Sequence, residues 1–190
     1  MKLYYSLLFI CIVLLLTGCS FSSLTEDSSH LTIGNSMEIN TTDSDLILLD
    51  NMDTLATDGL YYASWGIGEK EPYENSEGKT IDLYDAQIYF LLDEYKDEET
   101  AQQNMNSWFT DAKANYEVLN EETITCNEQT YSLITYTFKN KNNPFIQGIS
   151  VFTVSNNSVI CIELTSGKNF EEDLKTVLLD FLNKCTYMKD

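Results

Sequence analysis

The side chains able to carry catalysis form a restricted set in this chain. Its 190 residues include 30 aspartates and glutamates against 11 basic residues, all of them lysine. His30 is the only imidazole, so a histidine-paired triad that does not use it is excluded, as is a metal site with several histidines. The formal net charge of −19 excludes nucleic acid as a partner, because phosphate recognition depends on Lys and Arg.

Carboxylates are the one reactive group in excess, and they gather in two clusters. Calcium loops space their acidic residues as an alternating ladder that ends in Gly, and neither cluster has that pattern. A paired-carboxylate hydrolase needs two acids at a set separation across a cleft, and with 30 acids the sequence singles out no such pair. We interpret both clusters as solvated surface and predict no catalytic residue, no metal and no cofactor. The clusters are Glu69, Glu71, Glu74 and Glu77, and Asp93, Glu94, Asp97, Glu98 and Glu99.

Tyrosine is concentrated in one segment of the chain, with six tyrosines between residues 61 and 95. Exposed aromatic side chains beside polar loops are a common way to hold peptides or glycans. Tyr61, Tyr62, Trp65 and Tyr73 are therefore the candidate recognition surface. The alternative, which we favour for a sheet covered on both faces, is that these rings pack in the core.

The N-terminus has the pattern of a secretory signal. Lys2 precedes an apolar run over residues 3–16, which is shorter than the ~20 residues that a membrane-spanning helix needs. The run ends in Leu-Thr-Gly-Cys, which resembles the lipobox of bacterial lipoproteins. The resemblance implies cleavage between Gly18 and Cys19 and acylation of Cys19, and hence a location outside the cytoplasm, on the bacterial cell membrane. The alternatives are an uncleaved signal anchor and a secreted protein with an incidental cysteine.

Three cysteines remain once the signal peptide is removed and Cys19 is acylated. Cys126, Cys161 and Cys185 contain no Cys-x-x-Cys spacing, and we expect unpaired thiols that fill core volume. A disulfide is the alternative outside the cytoplasm, with Cys161 and Cys185 as the favoured pair because both lie on predicted apolar faces. A catalytic cysteine is not expected, because no imidazole in the domain would activate it.

The chain divides into three parts. Residues 1–18 are the signal peptide, and residues 19–44 are predicted to be the lipidated cysteine and a flexible tether rich in Ser, Thr and Asp, with His30 inside it. Residues 45–190 are predicted to form a single domain, because no second linker interrupts them.

Hydrophobic periodicity predicts an α/β (α+β) domain. Two amphipathic helices would flank a mainly antiparallel sheet, as an α/β/α sandwich. The predicted helices are 97–116, with Asp97 as N-cap, and 169–184, with Asn169 as N-cap. Residues 69–80 are predicted to be an acidic loop. The predicted strands are 46–49, 60–67, 87–95, 117–126, 130–139, 147–155 and 159–165.

Residues 59–187 resemble the PsbP-like lipoproteins of bacteria. The resemblance rests on the order of elements and on the segments LYYASWGI, YSLITYTF, QGISVFTVSNNSVICIELT and FEEDLKTVLLDFLNKCTY, with a helix that contains Trp108 and Phe109. It implies a non-enzymatic sandwich domain used for interaction. The family shares no active residues, so none transfers to this chain.

The sequence therefore predicts a membrane-anchored surface lipoprotein whose domain binds without catalysing a reaction. Its partners would be the membrane, through lipid on Cys19, and an unidentified envelope protein, peptide or glycan. The alternatives are an assembly subunit of a cell-envelope complex and a carboxylate-dependent hydrolase.

Overall fold

The computed structural model describes residues 29–33, 37–52, 59–74 and 78–188, which form two antiparallel sheets and two helices. The predicted mixed α/β fold, mainly antiparallel with two helices, is confirmed. The strands are β1 (His30–Ile33), β2 (Met37–Asn40), β3 (Ile47–Met52), β4 (Leu60–Glu74), β5 (Thr80–Glu94), β6 (Glu117–Cys126), β7 (Gln129–Thr137), β8 (Gln147–Ser155), β9 (Ser158–Ser166) and β10 (Cys185–Tyr187). The helices are α1 (Glu98–Asn115) and α2 (Leu174–Asn183).

The larger sheet has seven strands in the order β3-β4-β5-β9-β8-β7-β6 and is covered on both faces. Its central strands are apolar at adjacent positions, so successive side chains enter two separate cores. On the face covered by α2, the α2 face, Trp65 and Phe181 pack edge to face at 5.0 Å. On the opposite face, the α1 face, Phe109 packs against Phe152 at 5.5 Å.

The smaller sheet, in the order β1-β2-β10, was not predicted. Residues 19–44 were expected to be a flexible tether, and this prediction is wrong for His30–Ile33 and Met37–Asn40, which are strands. Leu31, Ile33, Met37 and Ile39 alternate along β1 and β2 and are buried in the same core as α2. The four apolar positions are sparse among polar residues, so the composition resembled a linker although the period of two is that of a half-buried strand.

The predicted acidic loop at 69–80 is also different in the structure. Residues 70–74 of β4 pair with 80–84 of β5, as a two-stranded ribbon beyond the end of the larger sheet. Lys70 and Asp82 form an ion pair at 2.6 Å across this ribbon, and Tyr73 donates a hydrogen bond to the Asn142 carbonyl at 3.3 Å. Glu71, Glu74 and Asp82 of the ribbon are exposed, because the ribbon extends beyond the sheet into solvent.

Both helices begin at an aspartate that accepts from the backbone. Asp97 caps α1 through the Thr100 amide at 2.8 Å, as predicted. α2 starts later than predicted: its N-cap is Asp173, which accepts from both the amide and the hydroxyl of Thr176 at 2.8 Å, and Asn169 lies outside the helix. At the N-cap, the negative charge of Asp173 also interacts favourably with the positive end of the helix dipole.

The targeting segment cannot be compared with the structure. The signal peptide at 1–18, the cleavage site at Gly18 and the lipidated Cys19 lie outside the described residues. Within the described part of the chain, neither helix is long and apolar enough to cross a membrane.

Candidate functional site

The four aromatic residues predicted as a recognition surface do not share one surface. Trp65 is fully buried in the core under α2, and Tyr61 packs against that same core. Tyr62 points to the opposite face and is 8% exposed in the core under α1. Tyr73 lies apart on the ribbon. Three of these rings pack in the core, as the favoured interpretation expected. They lie in two different cores because residues an odd number of positions apart on a strand face opposite sides of the sheet.

A polar region lies instead on the α1 face, on strands β4, β5, β9 and β8. Under α1 the cross-strand positions are apolar, such as Leu91 opposite Cys161. Two residues further along β5 and β9, Tyr89 lies opposite Glu163, and the next facing pair is Gln87 and Thr165. Tyr89 donates a hydrogen bond to the side-chain carbonyl of Gln87. The α1 face therefore changes from an apolar half to a polar half.

Glu163 is the centre of this polar half. Its Oε1 accepts hydrogen bonds from the hydroxyls of Tyr116 at 2.9 Å, Ser150 at 3.5 Å and Tyr136. Among the described residues no donor reaches its other oxygen, Oε2. We call Glu163, Tyr116, Tyr136 and Ser150 the Glu163 site. One oxygen of this carboxylate is held by three neutral hydroxyls, and the other is left for a further donor.

The site is assembled from four elements of the fold. Glu163 is on β9, Ser150 faces it on β8, and Tyr136 comes from β7. Tyr116 immediately follows α1, where its backbone N–H closes the helix by donating to the Ala112 carbonyl. Because α1 connects β5 to the edge strand β6 across the face of the sheet, Tyr116 at its end lies over the sheet.

A glycine makes room for Tyr136. Gly148 lies directly opposite Tyr136 in the β7–β8 pair, and a Cβ at this position would lie 2.5 Å from Tyr136 Cζ. The tyrosine ring thus lies across the backbone of β8, and its hydroxyl reaches Glu163 on the next strand. Only glycine leaves that path open.

Aromatic rings form one wall of the site. Tyr116 and Tyr136 are stacked, with ring centroids 3.9 Å apart and an interplanar angle of 6°. Phe138 packs edge-on against each of them at 5.5 Å. Both tyrosine rings are almost completely buried, whereas Glu163 keeps partial exposure.

Burial perturbs the titration of the whole group. Desolvation raises the pKa of Glu163 above its ordinary value, and the hydrogen bonds from Tyr136, Tyr116 and Ser150 oppose that rise. Desolvation and the neighbouring carboxylate raise the pKa of both Tyr116 and Tyr136, so the two phenols stay protonated and act as donors. The site is therefore a hydrogen-bonded carboxylate with neutral partners.

Sequence reasoning missed Glu163 because it treated all acidic residues alike. The signal was present: Glu163 is the one charged residue in β9, whose other residues are apolar or small and polar. A lone charge in a strand covered on both faces needs partners, because charged side chains are seldom buried without them. The partners come from distant segments, and no sequence spacing indicates them.

Two buried hydroxyls border the Glu163 site. Thr165 is 2% exposed and Ser64 is fully buried, and neither hydroxyl has a hydrogen-bond partner among the described residues. Both side chains project from the α1 face, since Thr165 is two residues from Glu163 on β9 and Ser64 pairs with Tyr89. Buried hydroxyls without partners are uncommon in folded proteins and mark places where a further polar group fits.

In the described part of the chain, none of the three cysteines Cys126, Cys161 and Cys185 forms a disulfide. Cys161 is in the core on the α1 face and Cys185 is in the core on the α2 face. The favoured pairing of Cys161 with Cys185 is therefore wrong for this fold, because the sheet separates them. Cys126 is near Cys185 instead: its thiol donates to Asn183 Oδ1 at 3.3 Å, and Asn127 Nδ2 donates to the Cys185 carbonyl at 3.4 Å.

The remaining candidate ligands lie on the surface. His30 and Glu38 approach to 3.7 Å across β1 and β2, and both side chains are more than two-fifths exposed. In the described ranges, no three side chains of His, Cys, Asp and Glu are grouped so as to hold a metal ion.

Comparison with known proteins gives nine matching chains of solved structures, among them the following two. One is the solution structure of cyanobacterial PsbP (CyanoP) from Synechocystis sp. PCC 6803, with a TM-score of 0.40 and 11% identity over 88% of this chain and 98% of that chain. The other is the crystal structure of the extracellular domain of PknH from Mycobacterium tuberculosis, with a TM-score of 0.33 and 16% identity over 70% of each chain. No protein-family model matches this chain, and no curated relative matches its sequence.

Proposed function

We propose that this protein is a lipoprotein anchored outside the cytoplasm through Cys19, and that its domain binds a partner without catalysing a reaction. The anchor is supported by the short apolar run over residues 3–16 and by the lipobox-like sequence that ends at Cys19. Acyl chains on Cys19 would hold the protein stably, because each buried methylene contributes about 0.8 kcal/mol to membrane association.

The binding role rests on one observation, the geometry of the Glu163 site. Three neutral hydroxyls fix one oxygen of a partly exposed carboxylate, and the other oxygen has no donor from the described part of the chain. A few convergent polar groups beside aromatic walls are typical of sites that hold a ligand. Such an arrangement is suited to recognition by hydrogen bonds and charge.

The anchor is tested by intact mass spectrometry of protein extracted from membranes, with Cys19→Ala as the variant. The expected mass is that of a diacylated chain beginning at Cys19, and Cys19→Ala is expected to release folded protein into the medium. Cys11→Ala is the matched control, because Cys11 leaves with the signal peptide and its loss leaves anchoring intact. Membrane retention of Cys19→Ala, or an unacylated mass, would contradict the proposal.

The binding role is tested separately by photocrosslinking in intact cells. A photoreactive phenylalanine at position 89, beside Glu163, is expected to form an adduct of defined mass, and the same residue at exposed position 171 is expected to form none. A stoichiometric protein in the adduct would indicate an assembly role, and a small adduct would indicate a ligand. Absence of any adduct specific to position 89 would refute a binding role for this site.

A further inference from the structure

We propose that the Glu163 site binds an alkylammonium group, such as the side chain of lysine or a small free amine. This inference rests on the proposed binding function and specifies the chemical class of the ligand. Glu163 would accept an N–H of the ammonium through Oε2, and the half-buried ring of Phe138, beside Tyr116 and Tyr136, would border the alkyl chain.

Among the residues that the structure describes, no cation pairs with the charge of Glu163. Its three partners are neutral hydroxyls, and no lysine in the described ranges forms an ion pair with it. Lys113, in the last turn of α1, pairs with Glu121 at 3.0 Å instead. A desolvated carboxylate without a cation is unfavourable, and a ligand that supplies the cation removes that penalty.

The hydrogen-bonding capacity at the site matches an ammonium group. An ammonium has three donors and no acceptor. Oε2 of Glu163 and the hydroxyl of Thr165 both have unused acceptor capacity, and strand alternation places them on the same face of β9, two residues apart. An anionic ligand would be repelled by the Glu163 carboxylate, and a neutral ligand would leave its charge without a counterion.

The surroundings favour a cation with an apolar stem. Phe138 is half-buried beside the buried, stacked rings of Tyr116 and Tyr136, and it is the ring of this group with apolar area left for methylenes. The whole chain, with a formal charge of −19, raises the local concentration of cations and repels anions.

The test is a calorimetric titration of the full chain in detergent with butylammonium, which reproduces the end of a lysine side chain. Saturable binding is expected, and neutral butanol is expected to bind about tenfold more weakly or worse, because it lacks the charge-assisted hydrogen bond. Glu163→Gln is expected to lower the butylammonium affinity by about tenfold. Glu171→Gln makes the same charge change at an exposed position and is expected to leave the affinity unchanged.

Thr165→Val distinguishes binding of the ammonium at the Glu163 site from non-specific attraction of cations to the acidic chain. This near-isosteric change removes only the unpartnered hydroxyl, and we expect a severalfold weaker affinity with unchanged folding by circular dichroism. Nα-acetyl-lysine amide distinguishes the two sources of the group: binding of this probe indicates a lysine side chain, and binding of butylammonium alone indicates a small free amine.

The inference is overturned if neither ammonium probe binds saturably, if butanol binds as well as butylammonium, or if Glu163→Gln keeps the full affinity. A specific photoadduct at position 89 together with any of these results would leave the binding function standing and remove only the alkylammonium assignment.

Discussion

Gly148→Ala is the sharpest test of how the fold builds the Glu163 site. The added Cβ would lie 2.5 Å from Tyr136 Cζ and 2.9 Å from Cε2, so the ring or the strand must move. Overpacking of this kind costs about 1–3 kcal/mol. Displacement of the ring also loses the hydrogen bond from Tyr136 to the Glu163 carboxylate, which is worth about 1.5–3 kcal/mol.

The expected net loss in the free energy of unfolding is about 1.5–5.5 kcal/mol, after subtracting about 0.5–1 kcal/mol that alanine contributes over glycine in a strand. Urea unfolding followed by circular dichroism and Trp fluorescence measures it. Gly167→Ala is the matched control: a Cβ there meets its nearest atom, the Asp85 carbonyl oxygen, at 3.5 Å, so little or no loss is expected.

A double-mutant cycle with Tyr136→Phe removes the hydrogen bond and the contact between the hydroxyl and the added Cβ, and it keeps the clash with the ring carbons. In the phenylalanine background no bond to Glu163 remains to be lost. Gly148→Ala should therefore cost at least about 1.5–3 kcal/mol less in that background. An equal cost in both backgrounds, or a Gly148→Ala variant as stable as Gly167→Ala, would refute the reasoning.

Three further predictions concern other features of the structure. Burial raises the pKa of Glu163 above the ordinary 4.5, so the native state holds this proton more tightly than the unfolded state does, and the contribution of Glu163 to the free energy of unfolding must fall as pH rises above that value. Urea unfolding of wild type and Glu163→Gln over a pH series should show that the stability advantage of wild type shrinks as pH rises. An advantage that grows would contradict the direction of the pKa shift. Asp173→Ala should lower the free energy of unfolding by about 1 kcal/mol because the α2 N-cap is lost, whereas Asp173→Asn should keep most of that stability. Equal losses for the two variants in urea unfolding would show that the cap is unimportant. Cys126 is half-buried, whereas Cys161 and Cys185 are buried. Alkylation of the native protein followed by mass spectrometry should therefore label Cys126 first, and all three thiols should react only after denaturation without reductant. A disulfide-linked peptide that joins Cys161 to Cys185 would contradict the fold.

Much of the central sheet could be predicted from local pattern. The helix at Glu98–Asn115 and both hairpins of strands β6 to β9 were found because each combines a clear hydrophobic period with a local signal. Asp97 marked the start of α1, and Asn156, with φ of 52°, marked the β8–β9 turn. These signals work because helix caps and tight turns depend on residues close together in the chain.

Strands whose stability depends on distant partners were missed or misplaced. β1 and β2 are short and polar in composition, and they form because β10 and the core under α2 complete their sheet. The ribbon over 70–74 and 80–84 is rich in charge and contains Pro72, yet the two halves pair along their length. Local composition predicted a tether and a loop because it contains no information about which segments meet.

The sequence by itself determined the targeting hypothesis, the acidic character and the two-helix sandwich, because each depends on composition or on neighbouring residues. Only the tertiary structure decided which side chains meet. It separated Trp65 from Tyr62, placed Cys161 and Cys185 on opposite faces, and brought Tyr116 and Tyr136 to Glu163. The physical reason is that a side chain's face follows from strand alternation, whereas its partners follow from strand order and from where α1 ends, which only the assembled sheet fixes.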